Sequence, residues 1–196
     1  FTADGTALCT TIGYEETMTD FSAAVQSMAD SGCTSAVLVS YAADGGMIID
    51  EMAAQGWSGQ VYGGDGIAEE GLATDATSSV NGIIATKPAS AATGEVGYVF
   101  AALCAQNPDC AGGIYTAEAF DGIVLVALAA FAQLASPGAT LSQVIMATGQ
   151  GLAGASGDIS FMANGDVPGA GYCVGDFTED ADGVSFDCNR SWDPVN

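Results

Sequence analysis

The sequence has 196 residues, room for one full domain or two small ones. It carries 24 acidic residues against 2 basic ones and no histidine, a formal charge of −22. Yet 49% of it is hydrophobic and 13% charged, which excludes a disordered acidic tail. Two cations cannot track a phosphate backbone and anionic lipid would repel the chain, so nucleic-acid binding and membrane-surface attachment are excluded. Without histidine there is no Ser-His-Asp or Cys-His catalysis and no His-containing metal site.

In chain order, Ala7–Tyr14 reads as a strand, apolar and β-branched up to Gly13. Thr19 or Asp20 then caps a helix whose stripe is Phe21, Ala24, Val25, Met28 and Ala29, and Ser31-Gly32 stops it. Ser35–Tyr41 (SAVLVSY) is expected as a buried strand from its continuous apolar content, completing a βαβ unit. Gly46–Gln55 reads as a helix with Met47, Ile48, Met52 and Ala53 inward, broken by Gly56-Trp57-Ser58-Gly59. Gln60–Gly63 is a short strand that opens into the tight loop Gly63-Gly64-Asp65-Gly66, and Asn81–Thr86 is another, closed by Lys87-Pro88. Residues 7–88 therefore predict an open parallel sheet.

After Pro88 the pattern changes. Glu95–Ala105, Ala117–Ala135 and Leu141–Gly149 read as three successive helices, the middle one with a stripe of Phe120, Val124, Leu128 and Phe131. Three helices with no strand between them need a sheet to cover. The most apolar run, Ile123–Ala132, is too short to span a bilayer, so no membrane insertion is expected. Ile159–Phe161 and Tyr172–Phe177 return to strand character, and a hairpin follows to Cys188. The sequence opens on Phe1, so a processed chain or a fragment is expected, with no signal peptide left.

Six cysteines fall into three local pairs. Cys104 and Cys110 flank Asn107-Pro108-Asp109, a turn signal. Cys173 and Cys188 face each other if the hairpin turns between Asp180 and Ala181. Cys9 and Cys33 sit at the entry ends of two expected neighbouring strands. Three disulfides, and so an oxidising compartment, are predicted.

Several motifs carry little chemistry. Gly149–Gly154 fits GxGxxG but follows a helix, the wrong context for a dinucleotide site. Asp176–Gly183 lacks the closing glutamate of a calcium loop and reads as a solvated turn. No metal site, cofactor or catalytic cluster is expected. Asp65 differs, because it stands in a glycine-rich loop at the C-terminal end of a parallel strand, the edge where open α/β sheets bind ligands. Its carboxylate suits an ammonium group, and Gly64 and Gly66 admit a ligand close to backbone. The loop holding Tyr41 and Ala42 lies on the same edge one unit earlier and opens a helix N-terminus.

These segments, in order, resemble the type I periplasmic binding proteins, in particular the branched-chain amino-acid receptors of ABC importers. The matching stretches are Thr19-Asp20-Phe21-Ser22, SAVLVSY, Gly63-Gly64-Asp65-Gly66, Gly82–Pro88 (GIIATKP), Tyr115–Gly122 (YTAEAFDG) and Gly157–Phe161 with Gly165-Asp166. The resemblance implies two α/β lobes joined by crossing segments. Residues 1–88 would be most of lobe 2, residues 89–168 the helical part of lobe 1, and residues 169–196 a hinge crossing and return hairpin to lobe 2. Lobe 1 would lack its N-terminal half. Asp65 would hold a ligand ammonium, and Tyr41 or Ala42 would stand where the family often places an aromatic contact. The expected function is non-enzymatic: an extracytoplasmic solute-binding component, periplasmic or secreted, taking a branched-chain or other small amino acid or amide to an ABC permease. A ligand-sensing receptor or regulatory module of the same fold is the alternative.

Overall fold

The computed structural model describes residues 7–15, 17–89, 94–107, 110, 114–167, 171–181 and 183–192. The chain divides into two units, Phe1–Lys87 with Cys173–Ser191, and Pro88–Tyr172 with Trp192–Asn196.

In the first unit, helix α1 (Ser22–Asp30) forms over the expected stripe, and Phe21, Val25 and Met28 are its buried residues and entry. Neither Thr19 nor Asp20 is the N-cap, which is Phe21; Asp20 precedes it, and its Oδ1 accepts from the Ser22 N–H at 3.0 Å and the Ser22 hydroxyl at 2.7 Å. Those bonds, the hydroxyl's first, hold the Asp20 carboxyl below its ordinary range. Gly32, at φ 73°, turns the chain out of the helix into strand β1 (Ser35–Leu38). Helix α2 (Ala42–Ala54) starts four residues earlier than the sequence pattern predicts. Its glycines explain the difference. Gly45 and Gly46 lie on the buried face, and a Cβ on Gly46 would meet the Ala76 nitrogen at 2.8 Å, so helix and loop touch backbone to backbone. Ile49 is buried and Ala53 is not.

Strand β2 (Gln60–Gly63) pairs in parallel with β1, from Ser35 opposite Gln60 to Leu38 opposite Gly63. The short helix α3 (Gly71–Asp75) leads to strand β3 (Ile84–Pro88), parallel to β2 through Tyr62–Ile84 and Gly63–Ala85. Asn81 and Gly82 are a turn rather than strand, with Gly82 at φ 79° and its N–H given to the Phe177 carbonyl at 2.8 Å.

Strands β4 (Leu152–Ala153) and β5 (Asp158–Ile159) belong to the second unit. The sheet of the first unit is completed by β6 (Tyr172–Asp180) and β7 (Gly183–Trp192). Its order is β1-β2-β3-β6-β7. Bonds linking Phe177 to Ile83 and Gly171 to Ala89 set late β6 residues beside early β3 residues, so β6 runs antiparallel to β3. Disulfide Cys173–Cys188 ties β6 to β7, with Cα atoms 5.5 Å apart. The core runs from Phe21 through Ile67, Leu72 and Val80 to Phe177, whose ring meets Phe186 at 5.0 Å.

Three expectations for this unit need correction. Residues 7–14 form no strand, because they make no ladder with the sheet, and Leu8 and Ile12 are exposed. SAVLVSY is not buried: β1 has a neighbour on one side only among the described residues, and Val39 is 86% exposed. Cys9 and Cys33 are free thiols, since no ladder fixes residues 7–14 on β1.

The second unit holds helices α4 (Gly94–Cys104), α5 (Thr116–Ala135) and α6 (Leu141–Gly149). Disulfide Cys104–Cys110 closes the expected short loop, although Pro108 and Asp109 lie outside the described residues. A capping box starts α6: Thr140 Oγ1 accepts from the Gln143 N–H, and Gln143 Oε1 accepts from the Thr140 N–H. Strands β4 and β5 form a separate antiparallel pair, and of the expected Ile159–Phe161 strand only Ile159 is in β5. In the glycine-rich run 149–154, Gly149 ends α6, Gln150 and Gly151 form a turn with Gly151 at φ 68°, and Leu152–Ala153 are β4.

Helix α5 buries Ala117, Asp121, Leu125 and Ala129. Of the expected stripe, Phe120 and Val124 are half-buried, Leu128 is exposed and Phe131 is 74% exposed. Contrary to the short-run expectation, the helix is long and apolar enough to cross a membrane, with a mean hydropathy of 1.7 over 18 residues. Yet it is fastened within the unit by Asp121, which is only 4% exposed. That carboxylate accepts from the Ala155 N–H at 2.6 Å, the Ser156 N–H at 2.7 Å and the Ser156 hydroxyl at 2.6 Å.

Candidate functional site

The C-terminal ends of β1 and β2 place two loops side by side. Strand β1 ends at Leu38, the chain runs through Val39–Tyr41, and α2 begins at Ala42. Strand β2 ends at Gly63, and Asp65–Ile67 wind into one 3₁₀ turn. The Gly64 N–H reaches the Leu38 carbonyl at 3.3 Å. A Cβ on Gly66 would collide with the Ser40 carbonyl oxygen and touch the Tyr41 ring at 3.3 Å, so only glycine lets the loops approach this closely. Ile67, fully buried beneath them, anchors the turn, and a Cβ on Gly63 would enter its side chain.

Gly64, Asp65, Gly66 and Tyr41 are thus neighbours at one sheet edge. Asp65 is half-buried, and Tyr41 is 72% exposed and available to a ligand. Ala42 differs, because its side chain is buried against Gly71 and only its backbone can take part. Sequence reasoning missed Tyr14, whose hydroxyl lies 2.7 Å from Ser40 Oγ and whose ring meets Phe21 edge-on at 5.2 Å. No local signal links two residues 26 positions apart.

The charges near this edge are negative. Asp44 sits in the first turn of α2, and Glu69 and Glu70 follow the 3₁₀ turn. The two cations of the sequence are engaged elsewhere: Arg190 pairs with Asp176 at 2.6 Å, and Lys87 Nζ lies 5.0 Å from the Phe186 ring centroid. Such an edge suits a cationic group and disfavours an anionic one. No group of three or more His, Cys, Asp or Glu that could hold a metal occurs among the described residues.

A separate cavity of about 530 Å³ lies between the start of α1, the second half of α2 and the 77–78 loop, lined by Asp20, Phe21, Met47, Asp50, Thr77 and Ser78 among others. Its central carboxylate, Asp50, is occupied with structure: Oδ1 accepts from the Ser78 N–H at 2.6 Å, and Oδ2 from the Thr77 hydroxyl at 2.8 Å. The strand-edge loops are therefore the better candidate.

No family model matches the sequence, and a search of the curated proteins finds no match. Solved structures do match. A leucine-binding protein LivK from Thermotoga maritima superposes with a TM-score of 0.73 at 18% identity, over 93% of this chain and 51% of that one. An ABC-transporter solute-binding protein from R. palustris in complex with 4-hydroxybenzoate gives 0.74 at 15% identity, over 97% and 54%. An extracellular ligand-binding receptor from Desulfohalobium retbaense gives 0.62 at 20% identity, over 86% and 29%. The chain has the α/β fold of the type I periplasmic binding proteins and spans about half the length of the first two structures.

Proposed function

We propose that this chain is part of the solute-binding component of an ABC importer, working in the periplasm or outside the cell and taking a small amino acid or related amide. Residues 1–88 and the return hairpin would form one lobe, and residues 89–168 the helical side of the other. The observation that carries this reading is the Gly64-Asp65-Gly66 turn packed against Ser40-Tyr41 at a sheet edge, in a fold shared with solute-binding proteins. Asp65 would take the ammonium group. Donors for the carboxylate would come from the opposite lobe, because the described residues of this edge offer no free cation. The lobes would close on the solute by hinge motion and present the closed form to the permease. Nothing would be chemically transformed. Two disulfides fit an oxidising compartment.

The exposed apolar side of α5 supports a further partner. Leu134 is 80% exposed, and Ile123 and Phe131 are nearly as open. A β-layer from polypeptide beyond these residues would cover them, as expected for a missing N-terminal part of lobe 1.

Calorimetry on the complete protein tests the ligand. Heat with an aliphatic amino acid, and an affinity weakened by about 2–5 kcal/mol in D65A through removal of a charge partner, is the expected result. Heat with 4-hydroxybenzoate alone would overturn the amino-acid reading, and unchanged affinity in D65A would remove Asp65 from the site. The likeness to an extracellular receptor favours a ligand-sensing module as the second reading. Pull-down of a signalling partner instead of a permease would select it.

A further inference from the structure

The sheet of the first unit has one face in the core and one face outside it. Leu38, Val61 and Ala85 are buried in the core with α1, α2 and α3. Their neighbours along each strand point the other way. Val37 stands opposite Tyr62, and Tyr62 opposite Ile84, so the three make one apolar row across β1, β2 and β3. Val37 is 47% exposed, Tyr62 is 40% exposed and Ile84 is half-buried. The row ends where the sheet turns antiparallel. On β6 and β7 the outward side chains are polar and bonded to one another: the Thr178 and Ser185 hydroxyls both donate to Asp187 Oδ2 at 2.9 Å. An antiparallel pair tolerates water on one face, whereas parallel strands are covered on both.

We propose that the outer face of β1–β3 seats a βα unit of the same protein, from polypeptide outside these residues. Its strand pairs in parallel with the open edge of β1, and its amphipathic helix lies over Val37, Tyr62 and Ile84. The size fits. Three strands spaced about 4.8 Å apart span about 10 Å, the width of one helix with its side chains. Length is available as well, because the chain spans about half of the solute-binding proteins on which it superposes.

The hand of the connections says why strand and helix come together. From β1 to β2 to β3 the chain moves in one direction across the sheet, and right-handed crossovers then put α2 and α3 on the same face. A right-handed crossover reaches the opposite face only by moving in the opposite direction, which requires a strand beyond β1. That edge of β1 is open among the described residues. Residues 7–14 make no ladder with it, and Leu8 and Ile12 stay exposed. The added strand gives the unpaired backbone of β1 a partner, and the helix that follows it removes the apolar row from water. The absent polypeptide thus has a seat on each unit, this one and the face of α5. This inference stands on register, burial and handedness and does not depend on the solute, which calorimetry decides separately.

The test uses the complete, unmutated protein without added solute. Hydroxyl-radical labelling read by mass spectrometry compares Tyr62 in the native and the urea-unfolded protein. A covered Tyr62 should be labelled about tenfold or more slowly when native. An uncovered one, with 40% of its surface open, would keep roughly that share of the unfolded rate and would overturn the helix. Amide exchange over residues 36–38 reads the edge. With a strand on each side of β1, every amide there should be protected about tenfold or more, whereas an open edge leaves alternate amides exchanging freely and would overturn the strand. Protection of Tyr62 that fades on dilution would put a second copy of the protein on this face and overturn the proposal. A gene that encodes these 196 residues and nothing else would overturn it too.

Discussion

The two units bury different kinds of residue. In the first, Phe177, Ile67, Leu72 and Val80 are the largest fully buried side chains, and helices and sheet enclose them. In the second, α5 buries Ala117, Leu125 and Ala129 along its inner face and leaves Ile123, Phe131 and Leu134 in solvent. The long middle helix of a layered α/β fold is apolar because a sheet lies against it. The first unit contains its own sheet. The second has only the short β4–β5 pair among its described strands, so its apolar content exceeds what it can cover. On the proposed reading, that surplus is the face a β-layer of the same lobe would cover.

That comparison predicts the largest contrast. Phe177→Ala should cost the first unit about 3–5 kcal/mol, because it empties a fully enclosed site. Phe131→Ala in the same chain should cost under about 0.5 kcal/mol, since the ring is in water. In a complete protein with the second lobe filled, the Phe131 penalty should climb toward the core value. Urea denaturation of both variants in both contexts checks this. Equal penalties in the short chain would mean that α5 is already covered and would break the contrast.

A smaller contrast lies in how each unit fastens a helix to a loop. Asp50 of α2 and Asp121 of α5 play the same part. Each carboxylate accepts from two successive backbone N–H groups and one hydroxyl, at Thr77–Ser78 and at Ala155–Ser156. Asp121 is buried and Asp50 half-exposed. Asp121→Ala leaves buried donors without water and should cost about 3 kcal/mol, whereas Asp50→Ala exposes donors that water can reach and should cost about 1 kcal/mol. Local amide exchange at residues 155–156 and 77–78 separates the two effects. Comparable losses would show that burial does not set the strength of the clamp.

Much of this was legible where the signal is local. Helical spacing located α1, α5 and α6, Gly32 and Gly56 marked the stops of α1 and α2, and the turn residues around Cys104–Cys110 announced that disulfide. The glycine-bounded Asp65 loop was readable because strand and turn are adjacent in sequence. What failed depends on distant partners. The apolar content of Ala7–Tyr14 and SAVLVSY signals β-structure but not whether a neighbour is bonded to it. The stripe Phe120–Phe131 was identified as apolar correctly, but periodicity alone does not tell an inner face from one awaiting a cover. The carboxylate clamps were invisible for the same reason: Asp50 and Asp121 meet loops 27 and 34 residues away.

The least of the expected effects is a pH dependence, and its sign follows from the Asp50 clamp. Burial pushes the Asp50 carboxyl up, but the Thr77 and Ser78 N–H groups and the Thr77 hydroxyl outweigh it and hold the group below the ordinary aspartate value. A carboxyl whose pKa is lower folded than unfolded contributes its full stability above the unfolded value of about 3.9 and loses it as pH falls through the folded value. Acid also relieves the self-repulsion of a chain of charge −22, which acts in the opposite direction. The midpoint of the whole protein therefore mixes two trends. The gap between wild type and D50N isolates one: it should stay constant at neutral and mildly acidic pH and narrow below about pH 4. Urea midpoints measured down to about pH 2 would check it, and a gap that widens with acid would mean that the clamp does not favour the charged form.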